Sequence, residues 1–375
     1  LENDLLARNK NFTELSSGKT NQTELIAQLI TDGKSFEEGI GIVQQRIKGS
    51  CSFLILTEDC IIASRDLYGR TPLIIGSKIT QDDTGNQVMA HAIASETCSC
   101  SNLGYEQQYN IGPGEAVRIT ADSVQTIVAA KEKMQICSFL WVYYGYPVSN
   151  YEDINVDDVR YSLGKQLGER DDTELDVVSS IPDSGTCMAI GFSNGKGIPF
   201  RKAVVKYTPT WPRSFTPTNQ SIRNLVAKMK LIPNHSILRN QKIVFCDDSI
   251  VRGTQLMETV DYLHNNGAEE IHVRSACPPL LFGCKFHNFS RSISDLDLIT
   301  RRTICELEGK PNEEITREIL DEYVDASTEK HAAMVEAIRK QMKFDSLKFQ
   351  TLENTKKAIG IDPCKLCTYC WDGTE

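Results

Sequence analysis

The sequence predicts a two-part chain: an α+β region of helices followed by antiparallel strands over residues 1–125, then an α/β region built on a parallel, doubly wound sheet. Three observations lead there. The length of 375 residues accommodates two compact domains, each large enough to bury its own core. Short apolar runs separated by turn residues fill the stretch from Cys51 to Thr120. From about residue 150 onward, strand and helix patterns alternate, which places parallel strands in one layer under covering helices.

Each element has its own signal. "ELIAQLI" and "FEEGIGIVQQRI", between Glu24 and Ile47, repeat apolar residues at helical spacing. "SFLILTEDCIIASRD" predicts a hairpin turning at Glu58 and Asp59. "TPLIIGSK" and "HAIASET" continue as short strands, and "IGPGEAVRIT" adds another behind a Gly-Pro-Gly turn. After a mixed connector, "ELDVVSSI" predicts a strand, "PDSG" a turn and "TCMAIGFSNGKG" a helix. The unit then repeats, with "KIVFC" as strand, "DDSIVRGT" as turn and "QLMETVDYLHNNGA" as helix. In that helix Leu256, Val260 and Leu263 share a face, and Gly267 suits a left-handed C-terminal cap. "EIHVRSACPP" closes the unit as a strand, and the tail from 303 to 358 reads as charged and helical.

Net charge is −9, with Lys and Arg scattered, so no basic face awaits a phosphate backbone and nucleic acid is excluded as a partner. No apolar run approaches the ~20 residues that cross a bilayer, and "LENDLLARNK" lacks the layout of a secretory signal. A soluble, cytoplasmic protein without membrane contacts is expected. The chain begins at Leu1 rather than Met, the pattern of a processed or partial chain. Thirteen cysteines, an odd number, argue against a closed disulfide framework; most are expected to pack as small hydrophobes. The exception is "IDPCKLCTYCWDGTE", where Cys364, Cys367 and Cys370 recur every third position and can converge on a metal.

The stretch "KIVFCDDSIVRGTQL" (242–256) carries the chemistry. In an open α/β sheet, ligands bind outside the carboxyl ends of the strands, and Asp247 and Asp248 stand at such an end. The helix that follows presents free backbone N–H groups, and Ser249, Gly253 and Thr254 let a phosphate approach them. A phosphate beside two carboxylates suits a phosphorylated ribose, whose hydroxyls donate to the carboxylates while Mg²⁺ joins them to pyrophosphate oxygens. The alternative is an acidic pair in a surface turn ahead of an ordinary helix cap.

"DDSIVRGT" resembles the phosphoribosyl pyrophosphate (PRPP) motif of type I phosphoribosyltransferases, and within that group it is similar to the amidophosphoribosyltransferase family, the glutamine PRPP amidotransferases. "ASETCSCSNLGYEQQYNIGPGEAVRI" (94–119), "CSFLWVYYGYPVS" (137–149), "IPDSGTCMAIGFSNGKGIPF" (181–200), "PRSFTPTNQSIRNLVAKMKL" (212–231) and "FDSLKFQTLENTKKAIG" (344–360) resemble segments of the same family in the same order. The resemblance implies part of an N-terminal nucleophile hydrolase-type glutaminase domain over 1–125, a type I phosphoribosyltransferase domain over 126–302 and a helical tail with a Cys-rich end over 303–375. The implied reaction replaces the pyrophosphate of PRPP with ammonia drawn from glutamine, giving 5-phosphoribosylamine, the first committed step of purine synthesis. Purine nucleotides as inhibitors and a homotetramer are implied with it.

Residue roles follow from the same resemblance. Asp247 and Asp248 would hold the ribose hydroxyls and Mg²⁺, with Ser214 as a third Mg²⁺ ligand. Ser249, Ile250, Val251, Arg252, Gly253 and Thr254 would wrap the 5′-phosphate. Pro182, Asp183, Ser184 and Gly185 would face the pyrophosphate. Lys206 and Arg213 bracket "YTPTWP", which matches the family's closing loop but carries two prolines and a Trp where other members have a basic, tyrosine-bearing stretch.

Family members open on a catalytic Cys whose own α-amino group is the base; here residue 1 is Leu, and Gln22 stands near the place of an expected acidic residue. Glutamine hydrolysis is therefore not expected of this chain. Either it is a fragment of a longer enzyme, the favoured reading because a half-domain would expose a sheet face, or it uses free ammonia. Cys51, Cys60 and Cys98 read as buried strand cysteines rather than nucleophiles. Some members hold a four-iron, four-sulfur (4Fe-4S) cluster, and Cys137, Cys284, Cys367 and Cys370 match its ligand positions, as a staple rather than a redox relay. Zn²⁺ on four thiolates is the alternative, and Cys364 is able to replace Cys367 in either site. Two other functions fit less of the chain. A PRPP-binding regulator without transferase activity would show a basic face, and a transferase for orotate or a purine base would need no glutaminase-like region.

Overall fold

The computed structural model describes residues 1–13, 15, 16, 18–206, 231–287 and 294–375, with the side chains at 15, 16, 19 and 254–258 outside that description. The first region is a helix–sheet–sheet stack. Helices Gln22–Ile30 and Phe36–Arg46 start where Asn21 and Ser35 accept hydrogen bonds from the Thr23 and Glu38 amides. One antiparallel sheet has the order Phe53–Leu56, Ile61–Ser64, Ala116–Ile119, Val124–Val128; the other has Gln87–Ala94, Ile74–Gln81, Glu106–Asn110. The hairpin expected at Glu58 and Asp59 is present, with Leu56 opposite Ile61.

Strand periodicity divides the side chains of the first sheet between two cores. Ala63 and Val117 face the second sheet, where they meet Leu73, Ile75 and Ile111. Ile62 and Ala116 face the other way and pack under Ile40 of the second helix. On the edge strand, Leu54 and Leu56 are exposed, Leu56 by 81%.

The second region holds four parallel strands in the order Val177–Ser180, Lys242–Asp247, Glu270–Ser275, Ser346–Phe349. Val178 and Val244 point into a core with Met188, Ala189 and Phe192 of the helix Thr186–Lys196. Ile243, Phe245, Ile271 and Val273 point into the opposite core, against Val260, Leu263, Ile304 and Ile338. Burial on both faces is what the continuous apolar strands require. Arg274, on the third of these strands, is wholly buried and paired with Asp171, and it also donates to Thr173 Oγ1 and Ser346 Oγ, each at 2.9 Å.

The tail departs from the helical expectation at one point. Residues Ser346–Phe349 form the fourth parallel strand, with Leu347 opposite Val273. A four-residue strand between two helices has too short a period to read inside a charged stretch, and only its partner strand defines it. Further on, Leu366–Cys367 returns to pair in parallel with Ile136–Cys137. Among the described residues, no helix is long and apolar enough to cross a membrane.

Candidate active site

The strand Lys242–Asp247 ends in the two acids, and a cavity of about 670 Å³ opens there, lined by Ser184, Asp247, Asp248 and residues 249–253. Asp247 Oδ1 accepts from Ser184 Oγ (3.1 Å) and from the Asp248 amide (2.9 Å), while Ser249 Oγ donates to Asp248 Oδ1 at 2.5 Å. Asp248 is 4% exposed. Burial pushes both carboxyls above the ordinary carboxylate range; the charge on Asp248 adds to the effect on Asp247. Two adjacent acids held so, with few compensating donors, form a site with spare affinity for cations and hydroxyl donors.

The turn after Val177–Ser180 faces this pair. Ile181 N donates to Cys246 O, and Gly185 N to Ile181 O, both at 3.0 Å. A Cβ on Gly185 would lie 2.1 Å from Cys246 O, so only glycine lets the turn lie against the end of the acid-bearing strand. Pro182 and Asp183 sit on the same turn, and Lys206 reaches Asp183 Oδ2 at 3.1 Å from the end of the strand Val204–Lys206. Arg213 and Ser214 lie outside the described residues.

In the second turn, Gly253 adopts φ +79°, and the helix Thr254–Asn265 begins directly after it. Ile250 is buried at 3% exposure in the sheet core, so what it presents to the cavity is its backbone. The Val251 carbonyl accepts from Ile299 N at 2.8 Å. Arg252 is exposed and paired with Asp297 at 3.3 Å, while Arg302 donates to the Arg252 carbonyl at 2.8 Å. The side chain of Thr254 is outside the description.

The same cavity is also lined by Cys137, Cys284, Cys367 and Cys370. Cys137 stands opposite Cys367 in the parallel pairing, and the Cys370 carbonyl accepts from the Leu281 and Phe282 amides at 3.0 and 3.1 Å. Cys364 is exposed and turned to Asp362, outside this group. Burial raises the Cys137, Cys367 and Cys370 thiols, with neighbouring cysteine sulfurs adding to it. Among the described residues, no three His, Cys, Asp or Glu side chains are spaced to hold a metal ion as they stand.

Of the four cysteines in the first region, Cys51, Cys60 and Cys98 all lie off the cavity lining, and Cys98 is half-buried on the helix Thr97–Asn102 rather than in a strand. Burial and the charge of Asp66 push the Cys51 thiol up to about 11. Cys60 is buried and held below its usual value by Thr57 and Arg118, and Cys98 lies 3.9 Å from Glu96.

Several wall residues have no role assigned from the sequence. Phe139, Tyr143, Tyr144, Phe282 and Tyr369 line the same cavity as the acids and the cysteines. Phe139 packs edge-on to Tyr144, with ring centroids 5.4 Å apart. For Phe139, Tyr143 and Tyr144 the sequence signal is the aromatic density of "CSFLWVYYGY".

No family model matches the chain. It is similar to the amidophosphoribosyltransferase of Bacillus subtilis strain 168, with 30% identity over 361 residues, 94% of this chain and 67% of that protein. It is 29% identical over 382 residues to the amidophosphoribosyltransferase of Synechococcus elongatus, covering 100% of this chain and 68% of that one. To the chloroplastic enzyme of Glycine max it is 30% identical over 358 residues, 94% of this chain and 56% of the relative. The chain thus spans 56% to 68% of the length of these curated relatives. A solved structure of glutamine PRPP amidotransferase from B. subtilis complexed with ADP and GMP superposes with a TM-score of 0.76 at 28% identity, covering 100% of this chain and 73% of that chain. Another, described as the allosteric regulatory enzyme of purine biosynthesis, gives a TM-score of 0.77 at 28% identity over 100% and 72% of the two chains.

Proposed function

The chain belongs to the amidophosphoribosyltransferase family, and from that premise we propose that it transfers ammonia onto PRPP, releasing pyrophosphate and forming 5-phosphoribosylamine. The observation that carries this reading is the placement of Asp247 and Asp248, the first half-buried and the second buried, at the carboxyl end of a parallel strand beside the mouth of the next helix. In the reaction, the nitrogen lone pair of ammonia attacks ribose C1, the bond from C1 to the pyrophosphate oxygen breaks, and the nitrogen then loses a proton. Positioning and electrostatic stabilisation do most of the catalysis in such a displacement.

Asp247 and Asp248 accept from the ribose hydroxyls, and the backbone of residues 249–253 together with the helix start receives the 5′-phosphate. The turn of Asp183 to Gly185 faces the pyrophosphate, with Lys206 at its rim. The acids also suit Mg²⁺, because two closely set carboxylates raised by burial gain from a divalent cation. Bound there, Mg²⁺ would neutralise charge on the departing pyrophosphate.

For the cysteines, we favour a 4Fe-4S cluster over zinc. A single Zn²⁺ draws its thiolates to about 2.3 Å from one centre, whereas a four-iron cube bonds each thiolate at a different corner and leaves the sulfurs farther apart. Cys137, Cys284, Cys367 and Cys370 line one cavity, and they are the positions at which the sequence resembles the cluster-bearing members. Cys137, Cys284, Cys367 and Cys370 would hold the cluster as a structural staple.

Purine nucleotides as inhibitors, glutamine as the ammonia source of the complete enzyme, a homotetramer and a cytoplasmic location belong to the same proposal. The test is to mix the chain with PRPP, Mg²⁺ and excess ammonium and measure pyrophosphate release. Intact PRPP binding with no turnover would favour a PRPP-binding regulator instead.

A further inference from the structure

A two-residue hairpin joins the antiparallel region to the cavity wall. Asn150–Tyr151 pairs with Ile154–Asn155, and the turn residues Glu152 and Asp153 both adopt left-handed backbone, at φ +48° and +64°. That turn type favours Asn and Gly, so a Glu-Asp pair there is held by contacts rather than preference. The side chains of the two turn residues are held from the antiparallel region. Glu152 pairs at 2.8 Å with Arg65, itself 1% exposed, and Asp153 accepts from Gln107 at 3.3 Å. Tyr151 donates to Glu96 at 2.7 Å, and the Asn150 amide donates to Thr97 Oγ1 at 2.7 Å.

From the hairpin the constraint runs to the cavity. Asn155 caps the helix Val156–Glu169, accepting from the Asp157 and Asp158 amides at 2.8 and 3.1 Å. One turn on, Arg160 is 5% exposed and donates to the carbonyls of Trp141 and Gly145, both at 2.9 Å. Those carbonyls belong to the π-helical turn Leu140–Tyr144 and its cap, which set Tyr143 and Tyr144 on the cavity wall. Tyr151 also packs edge-on to Trp141 at 5.6 Å, and a Cβ on Gly145 would lie 2.6 Å from its ring.

We infer that Arg160 is a positioning residue for the transferase reaction and that the Glu152–Asp153 hairpin is the lever by which the antiparallel region holds the aromatic wall in place. The inference rests on the proposed ammonia-dependent transfer. Neither element needs to touch substrate. A wall displaced by a fraction of an ångström alters the geometry of attack at ribose C1, and chemistry is more sensitive to that than binding is.

The experiment uses the 375-residue chain and three variants. Arg160→Lys keeps the charge but cannot span two carbonyls. Tyr151→Phe keeps the ring and removes the bond to Glu96. Glu152→Gly relaxes the turn and releases Arg65. With PRPP, Mg²⁺ and saturating ammonium, kcat is expected to fall about tenfold in Arg160→Lys and about threefold in Tyr151→Phe, with KM for PRPP within about twofold. Hydrogen exchange of the Gly145 amide, bonded to the Leu140 carbonyl at 2.7 Å, should quicken about tenfold in both. Unchanged kcat and exchange in folded variants, or activity lost only in proportion to folded fraction, would overturn the inference. If the unmodified chain releases no pyrophosphate, the proposed function fails, and the Gly145 exchange alone decides whether the lever exists. Should Glu152→Gly or Arg160→Lys not fold, Tyr151→Phe decides it.

Discussion

Cys137 and Cys367 stand opposite each other in a parallel pairing of two short strands, although the whole parallel sheet lies between them in the chain. The pairing brings Leu366–Cys367 back to Ile136–Cys137, ahead of the parallel sheet, and both thiols line one cavity. Under anaerobic reconstitution with iron and sulfide, the chain is expected to gain broad visible absorbance. Cys137→Ser, Cys367→Ser and Cys370→Ser should each abolish it, and Cys364→Ser, altering an exposed thiol outside the cavity, should leave it intact. Zinc uptake without iron, measured by elemental analysis, would reverse the assignment to a cluster.

Replacing Asp247 or Asp248 with Asn removes an acceptor for the ribose and for the cation. Hydrogen bonds to charged groups contribute about 1.5–3 kcal/mol, so PRPP affinity should fall roughly 10- to 100-fold and its Mg²⁺ dependence should flatten. Because the pair is buried and mutually repelling, the same variants should melt at a higher temperature than the parent without ligand. Calorimetry with and without PRPP separates the two effects.

The acids also set a pH dependence. Folding raises both carboxyls, so their contribution to stability is fully present below the unfolded value of about 3.9 and is lost as pH rises through the folded values. Asp171 has the opposite sign. Burial opposes ionisation there, but the hydrogen bond and charge of Arg274 outweigh it and hold the carboxyl low. Its contribution is present above the unfolded value and is lost as pH falls through the folded one. In the ligand-free chain, the double variant Asp247→Asn, Asp248→Asn should therefore lose less stability than the parent as pH is raised above the ordinary carboxylate range. Asp171→Asn should lose stability at neutral pH. Denaturant melts across pH check both.

Gly185→Ala would place a methyl 2.1 Å from Cys246 O. The turn must move off the strand end, and PRPP affinity should fall at least as far as in Ser184→Ala, which loses only the hydroxyl bond to Asp247. Isothermal titration with PRPP and Mg²⁺ makes the comparison.

Lys206 and Asp183 form an exposed pair, 41% and 75% open, and such pairs contribute little to stability. Lys206→Met is expected to raise KM for PRPP several-fold with an unchanged melting temperature. A melting shift without a KM effect would make the pair purely structural.

Much of the site was legible because its signals are local. Asp247 and Asp248 end an apolar strand and precede a helix, so burial of the strand alone places them at its carboxyl end. Gly253 and Gly185 mark a left-handed turn and a close approach that no larger residue fits. Other features have no local signal. Ile250, inside the phosphate-binding string, turns its side chain into the core because the sheet needs it there. Cys364 and Cys367 have the same spacing to a neighbouring cysteine, and only the pairing of Leu366–Cys367 with Ile136–Cys137 brings one to the cavity and leaves the other in solvent.

By itself, then, the sequence determined the alternation of strands and helices, the position of the acids at a strand end and the glycines their turns require. All of these follow from periodicity and backbone sterics over a dozen residues or fewer. The tertiary structure alone decided that Ser346–Phe349 is a strand, that four distant cysteines share one cavity, and that Arg160 and the Glu152–Asp153 turn brace its wall. Those are contacts between segments far apart in the chain, settled by which apolar faces bury each other, and periodicity within any one segment carries no record of its partner.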